Sequence, residues 1–355
     1  MQRNLLIDGL KVFASQWIVL HHLATYGPLS DAWDAAATRS SDWAFEYGRM
    51  AVQIFLVVGG FLAARGHVAQ GLTMQTLSPV RRVLQRYLRL MLPLAAALAI
   101  AIPSALLARH WASYQFFPDF PSWRQIWTHI FLLQDIVGER SLSAGVWYVA
   151  IDFQLFVLIT FLIGSGRHGA RLGVAALMLA SLFYFNLYPK FDPWGLYFFG
   201  AYGMGTVAYW AAHSTRPVRW LAVVGLVGAI ALAVDYRERI VLATLTAVLL
   251  GYVEYRVASK PLRQRAPQTW LRLLTTFGNA SYALFLVHFS VVMLANALYA
   301  RLGLQSPLSA ACAIVGCWIV SNALGLAFER WVERPLQQLQ KTLVTGLQRA
   351  QSSSS

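Results

Sequence analysis

Ten apolar stretches of membrane-spanning length follow one another through 355 residues, and that succession constrains the fold more than any single motif. They run approximately over 5–27, 48–66, 88–108, 146–164, 172–188, 194–212, 220–236, 240–257, 273–300 and 309–332. One helix needs about 20 apolar residues to cross the hydrocarbon core of a bilayer. Inside lipid, only helices and closed barrels satisfy every backbone N–H and C=O. The predicted fold class is therefore all-α, a polytopic membrane protein of about ten transmembrane helices. Composition agrees: 12% of residues are charged, against roughly 25% in a soluble domain. A transmembrane domain is expected over 1–341 and a disordered tail over 342–355, ending in QSSSS.

The formal net charge of +14 does not indicate nucleic-acid binding, because the basic residues sit in short connections between apolar runs. With the N-terminus inside, 20 of the 29 basic residues fall on the inner side and 9 on the outer. Both termini are expected in the cytoplasm of a multi-pass protein of the cytoplasmic (inner) membrane. Trp33, Trp43, Trp111, Trp123, Trp127 and Trp194 fall near the proposed outer edge, as an aromatic belt does. The stretch Leu5–Tyr26 is too long and too polar for a cleaved signal, so it is expected to be the first span. Cys312 and Cys317 point to different faces of one helix, so neither a disulfide nor a metal pair is indicated, and no metal is expected.

That first span, LLIDGLKVFASQWIVLHHLATY, carries Asp8, Lys11, His21 and His22. A charge near the membrane centre costs roughly 2.5–3.5 kcal/mol on insertion scales, so such residues usually face a protected interior and serve a function. Lys11 and His22 lie close to three helical turns apart, on one face, about 16 Å apart along the axis. His21 points about 100° away from His22. His22 is therefore the candidate base. Asp152, in GVWYVAIDFQLFVLI, lies about as far below the outer surface as His22. A carboxylate beside an imidazole fixes its tautomer and raises its basicity. Asp152 may equally pair with an arginine or line water. His288, near the middle of its span, reads most simply as a hydrogen bond between helices.

Arg82, Arg86 and Arg89 recur at spacings of four and three and share one helix face. Guanidinium forks match phosphate geometry, so the cluster suits either a phosphate-rich ligand or lipid headgroups. The outer connections 28–47 and 109–145 hold Trp111, Tyr114, Trp123 and Trp127 among scattered acids, which fits either a carbohydrate-binding wall or interfacial anchoring. Gly200, Gly203 and Gly205 follow no predicted strand and indicate close helix packing rather than a phosphate loop.

Six motifs in order give a resemblance. Asp8, Gly9, Leu10 and Lys11 stand eleven residues before His22, and VQIFLVVGGFL fills the second span. Arg86 and Arg89 precede Leu92 and Pro93; Trp147, Asp152, Gln154 and Phe156 follow; then come Gly278, Ser281, Tyr282, Leu284, Leu286 and His288, and finally Glu333 to Leu336. In these the chain resembles the acyltransferase-3 family of integral membrane acyltransferases over nearly its whole length. The resemblance implies transfer of an acyl group, acetyl from acetyl-CoA, to a hydroxyl of an extracytoplasmic glycan or glycosylated small molecule. It implies His22 and Asp152 as catalytic residues, and Lys11, Arg82, Arg86 and Arg89 as holding the acyl-CoA. It also implies that Trp147, Gln154, Tyr282 and His288 contact substrate, with membrane lipids and the acceptor as partners. Four residues depart from the family pattern: Lys11 stands for arginine, Gln53 for an acid, Gly59 for serine and Asp152 for glutamate. The alternative from another class is a non-enzymatic transporter or flippase of lipid-linked sugars, though the matching broken halves common in transporters are not seen.

Overall fold

A computed structural model describes residues 5–71, 78–259, 268–340 and 342. All but Thr342 of the expected tail lies outside them. In order the helices are α1 (Leu5–Leu23), α2 (Gly27–Gly48), α3 (Ala51–Gly71), α4 (Pro79–Trp111), α5 (Trp123–Ile130), α6 (Gln134–Val137) and α7 (Val146–Gly164). They continue as α8 (Gly166–Phe183), α9 (Gly195–Ala212), α10 (Pro217–Val234), α11 (Glu238–Ser259), α12 (Gln268–Arg301) and α13 (Pro307–Phe328). A π-helical turn, Glu329–Glu333, closes α13. The described residues contain no strand.

Each of the ten expected spans holds a long helix: α1, α3, α4 and α7 to α13. Eight helical stretches, one of them running from α2 into α3, are long and apolar enough to cross a membrane, and α1 and α9 are not among them. The chain is thus an all-α, multi-pass membrane protein. The two exceptions have physical reasons. α1 carries Asp8, Lys11, His21 and His22. α9 is rich in glycine and tyrosine and is buried around nearly its whole circumference, so protein rather than lipid surrounds it.

The chain divides into two compact units. Unit 1 comprises Met1–Ala14, Arg49–Val83 and Trp147–Gly278; unit 2 comprises Ser15–Gly48, Leu84–Val146 and Asn279–Ser355.

In unit 1, α9 packs against α3, α8 and α11. Glycines bring α3 and α9 together. A Cβ on Gly60 would stand 1.9 Å from the Tyr202 carbonyl oxygen, and one on Gly205 2.0 Å from that of Val57. Only hydrogen fits where two backbones approach this closely, the small-residue packing of membrane helices. The expectation for Gly200, Gly203 and Gly205 holds: Gly200 faces Leu182 and Gly203 faces Met178.

In unit 2, Val19, Leu23, Leu29, Phe289, Val292 and Met293 form the core. Residues 28–47, expected to be a connection, instead form most of α2, kinked at Ala37. The run DAAAT supplies good helix formers. Leu29, Ser41, Ala44 and Gly48 give the helix a buried side. The segment 112–145 carries α5 and α6 and is tied down by ion pairs from Arg109 to Asp119 at 2.7 Å and from Arg124 to Glu139 at 3.0 Å.

Candidate active site

α1 is one unbroken helix, so Lys11 and His22 do share it. Its polar side chains in unit 2 are each met by a named partner. Gln16 accepts from Trp318 Nε1 at 2.7 Å and donates to Asn322 Oδ1 at 2.8 Å, fastening α1 to α13. The Nδ1 of His21 lies 3.3 Å from the Ala44 carbonyl, and Gly48 packs against the His21 Cβ. His21 therefore turns toward α2, away from His22, as their one-residue offset requires.

His22 meets His288 of α12. Its Nδ1 lies 2.7 Å from His288 Nε2, with ring centroids 4.9 Å apart and planes only 14° from parallel. Those values describe two imidazoles joined edge to edge. The rest of the hydrogen-bond chain fixes the tautomers. His288 Nδ1 lies 3.0 Å from the Leu284 carbonyl oxygen, which can only accept. So His288 carries its proton on Nδ1, and its Nε2 offers a lone pair. His22 must then donate from Nδ1, which leaves the lone pair of a neutral His22 on Nε2. His288 is fully buried, whereas His22 keeps 7% of its surface exposed. Of the two rings, only His22 can be reached by a substrate.

The surroundings hold this pair in place. Tyr26 and Phe289 stand edge-on to the His22 ring, with centroids 5.6 and 5.8 Å away. Just beyond His22 the chain turns at Gly27, with φ +74°, against the carboxamide of Asn296. Asn296 Oδ1 accepts from Leu29 N at 3.0 Å, and its Nδ2 donates to the Val292 carbonyl at 2.9 Å. Sequence reasoning missed Asn296; its place two turns after His288 on an otherwise apolar helix was the available signal.

The other expected site residues divide as follows. His288, expected to contact substrate and given no partner, is instead bonded at both ring nitrogens and has no exposed atom. Tyr282 donates its hydroxyl to the Leu90 carbonyl at 3.1 Å, joining α12 to α4. Arg86 and Arg89, on α4, belong to unit 2 as well, Arg86 half-buried and Arg89 exposed. Lys11, Arg82, Trp147, Asp152 and Gln154 belong to unit 1. Asp152 is buried, and Trp147 packs on Phe198 with centroids 5.9 Å apart. Gln154 holds the start of α9: its Oε1 accepts from Gly195 N at 2.7 Å and its Nε2 donates to the Pro193 carbonyl at 3.3 Å. An amide engaged by backbone at both ends is a helix cap, with little left to offer a substrate.

An uncharged imidazole pair that presents one unprotonated, accessible nitrogen is suited to taking a proton from a hydroxyl. No curated protein and no solved structure matches the chain. The family model described as an acyltransferase domain, Acyl_transf_3, matches residues 4–325, nearly the whole length. A membrane protein with that match, and with the family's histidine set as a base at the end of its first helix, belongs to the acyltransferase-3 family and is an acyltransferase.

Proposed function

We propose that the protein moves an acetyl group from acetyl-CoA to a hydroxyl of an extracytoplasmic glycan or glycosylated small molecule. It does so in the cytoplasmic membrane, with both termini inside. One observation carries the reading: the His22–His288 pair, which leaves Nε2 of His22 as the free base. His22 Nε2 takes the acceptor's hydroxyl proton as that oxygen attacks the thioester carbonyl. The new C–O bond forms, the C–S bond breaks, and the proton passes to the departing thiolate. Asp152 supports the basicity of this centre. Lys11, Arg82, Arg86 and Arg89 hold the donor's phosphates, as guanidinium and ammonium groups do. The excess of basic residues on one side supports the orientation. A flippase would need none of this acid–base arrangement.

The test supplies labelled acetyl-CoA to membrane vesicles of the native host, which hold the acceptor. Label is expected in the glycan fraction, alkali-labile as an ester, and absent with His22→Ala. Label that stays on CoA in wild-type vesicles, or that enters only from longer acyl donors, overturns the donor assignment. Reporter fusions at Gln2 and after Arg349 are expected to read as cytoplasmic; an external signal at either end overturns the orientation.

A further inference from the structure

Two arginines of unit 1 are equally buried, at 9% exposure, and differ sharply in their partners. Arg237 is saturated: Asn186 Oδ1 at 2.7 Å, the Leu182 and Ala231 carbonyls at 3.0 and 3.3 Å, and Asp235 at 3.2 Å. The side chain of Arg82 has no hydrogen bond or ion pair among the described residues, and its Nε is wholly buried. Burying a guanidinium without an acceptor costs several kcal/mol, so protein interiors rarely leave one so. A second orphan shares its unit. His67, 6% exposed, donates from Nδ1 to the Ala63 carbonyl at 2.7 Å, which leaves its buried Nε2 without a partner. The helix α7 touches both neighbourhoods: Phe156 lies 6.0 Å from the His67 ring, and Gly164 faces Pro79, one turn before Arg82. The Arg82 charge acts on the His67 ring.

We propose that His67 and Arg82 form one binding site for a phosphate monoester. The chemistry is specific. Arg82 offers N–H donors to an anionic oxygen. With Nδ1–H committed to Ala63, His67 Nε2 has room for one shared proton. A monoester has a second ionisation near pH 6, so it brings that proton or leaves it on the ring. A phosphodiester has no such proton and leaves His67 Nε2 unmatched. Two sources supply the shared group. One is the 3′-phosphate of coenzyme A, which would deepen the donor reading above and rests on it; the other is a lipid with a terminal phosphate.

The test measures melting temperature of the purified protein in detergent against four probes: coenzyme A, dephospho-coenzyme A, phosphatidic acid and phosphatidylglycerol. If coenzyme A is the source, it binds roughly tenfold or more tightly than the dephospho form, and His67→Phe and Arg82→Gln bring that ratio near one. If lipid is the source, the two nucleotides bind alike, phosphatidic acid stabilises, phosphatidylglycerol does not, and both variants lose the difference. Neither pair discriminating in the wild type, or discrimination surviving in both variants, overturns the site. His67→Phe keeps the ring and removes an orphaned polar atom, so without ligand it should melt no lower than wild type; a lower value marks a structural role and overturns the proposal. His67→Gln is the second variant should His67→Phe not fold. Melting needs no turnover, so this site can fail while acetyl transfer stands, and the reverse.

Discussion

Removing His288 should slow the chemistry only through His22. The Nδ1–Nε2 contact of 2.7 Å is the bond that keeps the His22 lone pair on Nε2. His288→Ala removes that acceptor and leaves a buried donor unsatisfied, which costs about 1–3 kcal/mol. If the transition state bears that loss, turnover falls about 5- to 150-fold. A tautomer actively held the wrong way round has cost roughly 10⁴ in a Ser-His-Asp protease, which sets the upper bound. KM for acetyl-CoA should change little, since neither ring nitrogen of His288 is free to touch a substrate. His288→Gln places an amide oxygen near the old Nε2 and should recover much of the rate. His22→Ala should cost about 10²–10⁴ or more. The assay is acetyl transfer to native membrane vesicles, with melting in detergent to confirm folding. The decisive sample is the double variant. If His288 acts through His22, losing both is no worse than losing His22 alone. A double variant slower than His22→Ala by the full His288→Ala factor, or a His288→Ala enzyme at wild-type turnover, refutes the tautomer argument.

Other outcomes follow from single contacts. Arg86→Ala and Arg89→Ala should raise KM for acetyl-CoA more than they lower turnover, by about tenfold each, with exposed Arg89 giving the smaller effect; unchanged constants in both return the cluster to lipid binding. Gly60→Ala and Gly205→Ala each drive a Cβ into backbone and should destabilise by at least about 1–3 kcal/mol, while Gly316→Ala, with nothing within 4 Å, should be neutral or slightly stabilising; equal melting of all three would refute the close α3–α9 approach. His129 lies outside the spans and bonds Gln125 O through Nδ1 and Leu142 N through Nε2, and burial holds its pKa below the ordinary 6.5. The unfolded chain then binds the proton first, so this stability is complete above pH 6.5 and is lost as pH falls below it toward the folded value. Melting should drop on acidification across that window in the wild type and less in His129→Gln; parallel curves would refute it.

The helices of the ten spans were legible because lipid demands long apolar runs, and little else in a sequence imitates them. The orientation of His21 against His22 was legible too, since a one-residue offset fixes it within any helix. α2 was not. Its helix rests on alanines and on contacts with α1 and α13, and its acids carry no apolar period. The His22–His288 bond was hidden for another reason: the partners stand 266 residues apart, and only packing decides which faces of α1 and α12 meet. Gln154 looked like a substrate contact because a polar group in an apolar run usually has a task. Its task here is to cap α9, a partner whose start the span pattern located only roughly.

Two departures from the family pattern, remote in sequence, turn out to be neighbours. A Cβ on Gly59 would lie 3.6 Å from Asp152 Oδ1 and 3.1 Å from the Tyr202 ring. The family's serine at this position would therefore hold its hydroxyl within reach of the acid, and the family's glutamate at 152 would need one methylene more of room. This chain has the smaller residue at both places, so the two changes act on one volume in unit 1. Restoring one alone should then be worse than restoring both. Gly59→Ser crowds Tyr202, and Asp152→Glu lengthens the acid toward the same wall; each strains packing by roughly 1–3 kcal/mol. If the sites were independent, the double variant would carry the sum of the two losses. If they share one volume, the serine hydroxyl and the longer carboxylate find each other as hydrogen-bond partners, and the double variant melts above that sum. Strict additivity in melting would mean that the two departures are separate accidents of this sequence, and that Asp152 was not shortened in concert with Gly59.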